Sequence, residues 1–163
     1  MSNVILNQIA EQLQNIQNEE LWMGQNFAEK FAQINEEEAF TVYKPGMNTI
    51  AQIVAHLIAW KEDAILKIRN GIGELMDDHD KNWPDNETLK KLGWKKLQAD
   101  FEDIHQRIMK ELSGKNDQLL QMTYHDQDYK KEFNMNFMLQ GLIHHDVYHL
   151  GQIGLITRMV KSR

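Results

Sequence analysis

Proline occurs only twice in 163 residues, at Pro45 and Pro84. The stretches between and beyond them repeat their apolar residues every three or four positions, with almost no β-branched alternation. That combination predicts an all-α chain. Ile5, Ile9, Leu13 and Ile16 share one face of a helix over 3–18, which Ser2 or Asn3 can cap. A shorter helix resumes near Phe27, with Asn26 as its cap and Glu29 three residues on. Glu36, Glu37 and Glu38 read as solvated surface. Thr49 and Gln52 form a capping-box pair ahead of the stripe Ile53, Leu57, Trp60, Ala64 and Ile68, and Asn70-Gly71 stops that helix. A third helix is expected over 87–112 on Leu97, Phe101, Ile104, Ile108 and Leu112. Gly93 weakens it by about 1 kcal/mol relative to alanine. The last helix, over 134–160, is apolar on nearly all sides, as a helix surrounded by protein is. Its only charges before the end are Asp146 and Arg158. Four long helices predict a four-helix bundle, a single domain over 1–163. The stretches 71–86 and 115–133 are polar and predict no defined element.

Charge and composition then exclude whole classes of function. There are 24 acidic against 18 basic residues, a net charge of -6, so no nucleic-acid partner is expected. Lys90, Lys91, Lys95 and Lys96 read as one solvated basic face. No apolar run reaches the roughly 18 residues of a membrane span, so no membrane partner is expected. Met1-Ser2-Asn3 opens without the features of a signal peptide, and the expected location is cytoplasmic. The chain has no cysteine. Disulfides, zinc knuckles, iron–sulfur clusters and a cysteine nucleophile are excluded together, and any metal must be held by His, Asp or Glu.

Seven histidines are present. His145 and His149 stand four apart on the last helix, which puts both imidazoles on one face, one turn apart. They lie on the stripe of Met138, Leu142, Ile153 and Ile156 and so point inward. His56 lies on the inner stripe of the second long helix, between Ile53 and Trp60. Two readings stand for these three rings. They are core imidazoles, each with a donor and an acceptor to satisfy at a desolvation cost, or they share a divalent ion. Gln152 shares the face of His145 and His149, where it can support a ligand or pack between helices. Asp63, seven residues from His56, can orient that ring, and Trp60 can line a pocket. His144 points about 100° away from His145. Asp77, Asp78, His79 and Asp80 read as solvated, and His105 and His125 have no evident partners.

The run His145-Asp146-Val147-Tyr148-His149-Leu150-Gly151-Gln152 resembles the H-x-x-x-H-x-G-Q signature of the DinB/YfiT-like superfamily. His56-Leu57-Ile58-Ala59-Trp60 resembles the same family's H-L-x-x-W motif. The order of Trp22-x-Gly24, Glu36-Glu37-Glu38-Ala39 and Pro45-Gly46 ahead of the first motif agrees as well. The resemblance implies a four-helix bundle, often a homodimer, with a divalent metal on His56, His145 and His149. It also implies a small-molecule substrate and chemistry of the thiol S-transferase or hydrolase kind, where a low-molecular-weight thiol such as bacillithiol, mycothiol or glutathione serves as co-substrate. Imidazole ligands suit zinc, nickel, iron and copper, and affinity order does not choose among them; zinc or nickel is the expected metal, with iron after them. A non-catalytic, stress-related or structural bundle with a vestigial or structural metal site is the alternative. No general base such as the glutamate of H-E-x-x-H is evident.

Overall fold

The computed structural model describes residues 2–162, so the two terminal residues of the expected domain lie outside it. Helix α1 spans Val4–Asn18 and buries Leu6, Ile9, Leu13 and Ile16. Two single-turn helices follow, α2 (Phe27–Phe31) and α3 (Glu36–Phe40). Asn26 accepts from the Glu29 amide as expected. Asn35 and Glu38 form a full capping box that turns part of the acidic run into a helix start. Helix α4 spans Ile50–Asn70. The Thr49 and Gln52 side chains cap it reciprocally, and Gly71 closes it in the left-handed conformation at φ 73°.

The third expected helix is two. Helix α5 covers Asn86–Leu92 and α6 covers Trp94–Leu112. Gly93 stands between them at φ 89° and ψ 150°, a backbone conformation that side chains other than glycine rarely adopt. The chain therefore changes direction at Gly93 and does not merely weaken there. The stretch taken as featureless holds a 3-10 turn over Asp117–Gln121 and a hairpin of β1 (Thr123–Asp126) with β2 (Lys131–Asn134). Tyr124 faces Phe133 across the hairpin. The His125 amide donates to the Gly71 carbonyl at 2.8 Å, which ties the hairpin to the end of α4. Helix α7, Met135–Lys161, completes the chain, capped by the side chain of Asn134.

The long helices α1, α4, α6 and α7 enclose one apolar core, with α4 packed on both α6 and α7. Phe27, Phe31, Trp94 and Phe101 fill one end with tilted and edge-on ring contacts. Among the described residues, no helix is long and apolar enough to cross a membrane.

A buried ion pair crosses this core between α4 and α7. Lys61 of α4 and Asp146 of α7 are both buried and form an ion pair of 2.5 Å. Burial pushes the Asp146 carboxyl up, and the adjacent ammonium pulls it back down. The second oxygen, Oδ1, has no hydrogen-bond partner. A half-satisfied buried pair of this kind contributes little net stability, but removing one partner strands the other charge. Asp146→Ala is therefore expected to cost about 3–5 kcal/mol in denaturant unfolding, while the double change Lys61→Met with Asp146→Leu recovers most of that loss. A cost below about 1 kcal/mol for the single change would contradict this account of the α4–α7 contact.

Candidate metal centre

Helix periodicity turns His56 of α4 and His145 and His149 of α7 to the same point between the two helices. The His145 Nε2 lies 3.0 Å from His56 Nε2 and 3.0 Å from His149 Nε2. All three ligand nitrogens fall within 4.8 Å of one another. His56 and His149 are buried and His145 is half-buried.

Neighbouring residues decide which nitrogen carries the proton. The His56 Nδ1–H donates to Asn82 Oδ1 at 2.6 Å. The same oxygen accepts the Trp60 indole N–H at 2.9 Å, and the Asn82 amide nitrogen donates to the Asp77 carbonyl at 2.8 Å. Indole nitrogen is only ever a donor, so the amide orientation is fixed and His56 Nε2 is left with its lone pair. His149 repeats the arrangement, its Nδ1–H donating to Gln152 Oε1 at 2.7 Å. His145 faces both lone pairs, and a proton on its Nε2 can serve only one of them well.

Burial and mutual proximity keep the cluster uncharged. The pKa of His56 is lowered to about 4 by burial and by His149, against a smaller upward pull from Asn82. That of His145 is lowered to about 3 by burial, by the other two rings and by Lys61. Burial lowers His149 as well. Neutral imidazole is the ligating form. Two nitrogens 3.0 Å apart can both reach one ion at the roughly 2.0–2.1 Å of a zinc–imidazole bond. The donor set fits a metal site, and a cation resolves the lone-pair conflict at His145 that no protein donor resolves.

The centre opens on two cavities. One, of 340 Å³, reaches His56 and His145 past Trp60, Lys67 and Tyr124. The other, of 530 Å³, reaches His145 and His149 past Trp83, Tyr148 and Gln152. The Trp83 ring stacks on His56 with centroids 3.9 Å apart and planes 9° apart, so it covers one face of that ligand.

Of the residues expected at this site, Gln152 holds His149 and Trp60 both lines the first cavity and holds Asn82. Asp63 lines the same cavity but does not orient His56. Its carboxylate accepts from the amides of Glu74 and Leu75 and pairs with Lys67 at 2.9 Å. Asn82 orients the His56 ring instead. Asn82, which is buried, and Trp83, which is partly exposed, come from the polar connection over 71–86, where no local pattern marks a residue that holds a ring on another element. Asp77 lines the first cavity too, so not all of the acidic run is bland surface. His144 is exposed. His105 has a partner after all, Gln14 on α1 at 3.1 Å, and His125 pairs with Glu132.

The sequence profile of the DinB superfamily matches residues 19–153, most of the chain. Among solved structures, YfiT from Bacillus subtilis superposes with a TM-score of 0.67 over 97% of this chain and 89% of its own, at 16% identity. YfiT is described as a probable metal-dependent hydrolase with an unusual four-helix bundle topology. At that identity the likeness establishes the bundle. No curated protein matches the chain.

The hydrogen bonds behind the ligands generate a prediction. Asn82→Ala and Gln152→Ala each free a ring that is now fixed, and each is expected to weaken zinc affinity by about 10–100-fold. Competition against a chromogenic chelator reads this, with far-UV circular dichroism confirming retained helix. Unchanged affinity in both variants would show that these amides do not support a metal.

Proposed function

We propose that this chain, which belongs to the DinB superfamily, is a divalent-metal-dependent enzyme that hydrolyses a small-molecule substrate at His56, His145 and His149. The observation that carries this reading is the set of three uncharged imidazole nitrogens, two of them fixed as lone-pair donors, on the walls of two open cavities. Three protein ligands leave positions open on an ion, which is the pattern of a catalytic site and not of a closed structural one. A divalent ion held there supplies Lewis acidity toward a carbonyl or phosphoryl oxygen and lowers the pKa of water. The chain's own part is to hold the ligands and limit access. Asn82 and Gln152 fix the ring tautomers, and Trp60 and Trp83 flank His56 and restrict water around it. The description of YfiT as a probable metal-dependent hydrolase supports hydrolysis as the reaction class.

Transfer of a low-molecular-weight thiol is the second reading. The two cavities favour it, because they give two substrates separate approaches to one centre. A thiol beside a divalent ion loses its proton at neutral pH, and with no cysteine in the chain that thiol has to be bound as substrate.

Protein loaded with zinc or nickel is expected to hydrolyse p-nitrophenyl acetate. Dipicolinate should remove that activity, added metal should restore it, and His145→Ala should lose it by at least about 100-fold, the loss expected where the metal supplies most of the catalysis. Metal-dependent consumption of glutathione with monochlorobimane, without ester hydrolysis, would select the thiol reading. Absence of metal-dependent turnover in both assays would sink the enzyme proposal and leave a binding or structural bundle.

A further inference from the structure

The cavity on the Trp60 side has a charge pattern that metal ligation does not use. Four carboxylates line it, those of Asp63, Asp77, Asp126 and Asp128, against a single ammonium, that of Lys67. Lys67 is buried and already engaged. Its Nζ lies 2.9 Å from Asp63 and 3.5 Å from Asp126, between the rings of Trp60 and Tyr124 at 5.6 and 5.0 Å. Asp63 also accepts two backbone amides from residues after α4, and Asp126 accepts two from the hairpin turn. The remaining pair, Asp77 and Asp128, is exposed at the mouth. The Asp77 carboxylate makes no hydrogen bond or ion pair among the described residues, and Asp128 gives one oxygen to the Asp77 amide.

A second, independent feature points into the same space. Tyr124 is 3% exposed and lines the cavity, yet its hydroxyl has no acceptor among the described residues. Burial, with Asp126 and Asp63 nearby, raises its pKa to about 12, so it remains a donor. The hydroxyl itself is reachable from the cavity, so a donor with no protein acceptor faces whatever molecule the cavity holds. Carboxylates beside aromatic faces are the surroundings in which organic cations bind. The same excess of negative charge repels an anionic molecule on approach.

We propose that the substrate entering this cavity carries a cationic nitrogen, an ammonium or guanidinium, held by Asp77 and Asp128 at the mouth beside the ring of Tyr129. Tyr124 donates to an oxygen of the same molecule, and the reacting end lies at His56 and His145. The placement of that reacting end rests on the enzyme reading above; the charge preference of the cavity does not.

Equilibrium dialysis of the full chain against two probes of similar size and opposite charge tests it. Benzyltrimethylammonium cannot ligate a metal, so its binding reports the cavity, and phenylmethanesulfonate is the anionic counterpart. The cation is expected to bind and the sulfonate not. Asp77→Asn combined with Asp128→Asn is expected to weaken the cation about tenfold, since both changes remove charge from exposed side chains that hold no core contact. Binding of the sulfonate as tight as that of the cation, equal cation affinity in the double variant, or no cation binding at millimolar concentration would each overturn the proposal. Metal content measured on the same samples separates the two ideas. Metal-free protein that will not load zinc but still binds the cation loses the enzyme reading and keeps the cationic cavity.

Discussion

The hydrogen bond from His56 Nδ1 to Asn82 Oδ1, 2.6 Å long, decides which nitrogen of that ring faces the bundle interior. Its direction is set by the Trp60 indole, which can only donate, so three side chains lock one tautomer without the help of an ion. Gln152 Oε1 holds the Nδ1 of His149 at 2.7 Å from within one helix. With both outer rings committed, His145 meets two lone pairs 3.0 Å away. The low pKa values follow from burial together with that crowding, which outweigh the opposing pull of Asn82 and Asp77 on His56. The centre is thus prepared for a cation by the polarity of its neighbours.

Bundle and connections divide the work. The long helices α4 and α7 supply the ligands, and rigid elements hold such a constellation more precisely than loops do. The connection after α4 and the hairpin supply what surrounds it: Asn82 and Trp83 against His56, Asp77 and Asp128 at the cavity mouth, Tyr124 on its inner wall. The hydrogen bond from the His125 amide to the Gly71 carbonyl brings these two irregular segments together at one end of the bundle. Apart from Asn82 and Trp83, which hold and cover His56, the loop and hairpin residues can vary without touching the ligands, so a bundle of this kind is suited to accept different substrates at one type of centre.

What the sequence disclosed follows the same division. Helices α1, α4 and α7 were legible because burial and periodicity act within one segment: Ile9, Leu13 and Ile16 and the Thr49–Gln52 box need no knowledge of distant residues, although the first turn of α1 buries Leu6 and leaves Ile5, the residue expected on that face, exposed. The His145–His149 spacing and its inward direction were legible for the same reason. Asn82, Lys61 and Tyr124 were not, because each has its role through a partner more than 20 residues away. Helical spacing leaves Asp63 free either to orient His56 or to bond elsewhere, and the backbone amides of Glu74 and Leu75 take its carboxylate. Gly93 was read as a weak point of one helix, whereas its positive φ makes it the corner between two. The hairpin was missed because its strands are four residues each and the alternation is confined to Tyr124 and Phe133.

The most direct test of the central claim is elemental analysis of the chain purified without any metal-affinity step, beside variants in which His56, His145 and His149 are each replaced by alanine. The account predicts close to one divalent ion per chain in the wild type, or uptake of one on addition of zinc, nickel or iron, and loss of tight binding in all three variants. A wild-type chain that stays metal-free in the presence of all three ions, or variants that retain the metal, would contradict it.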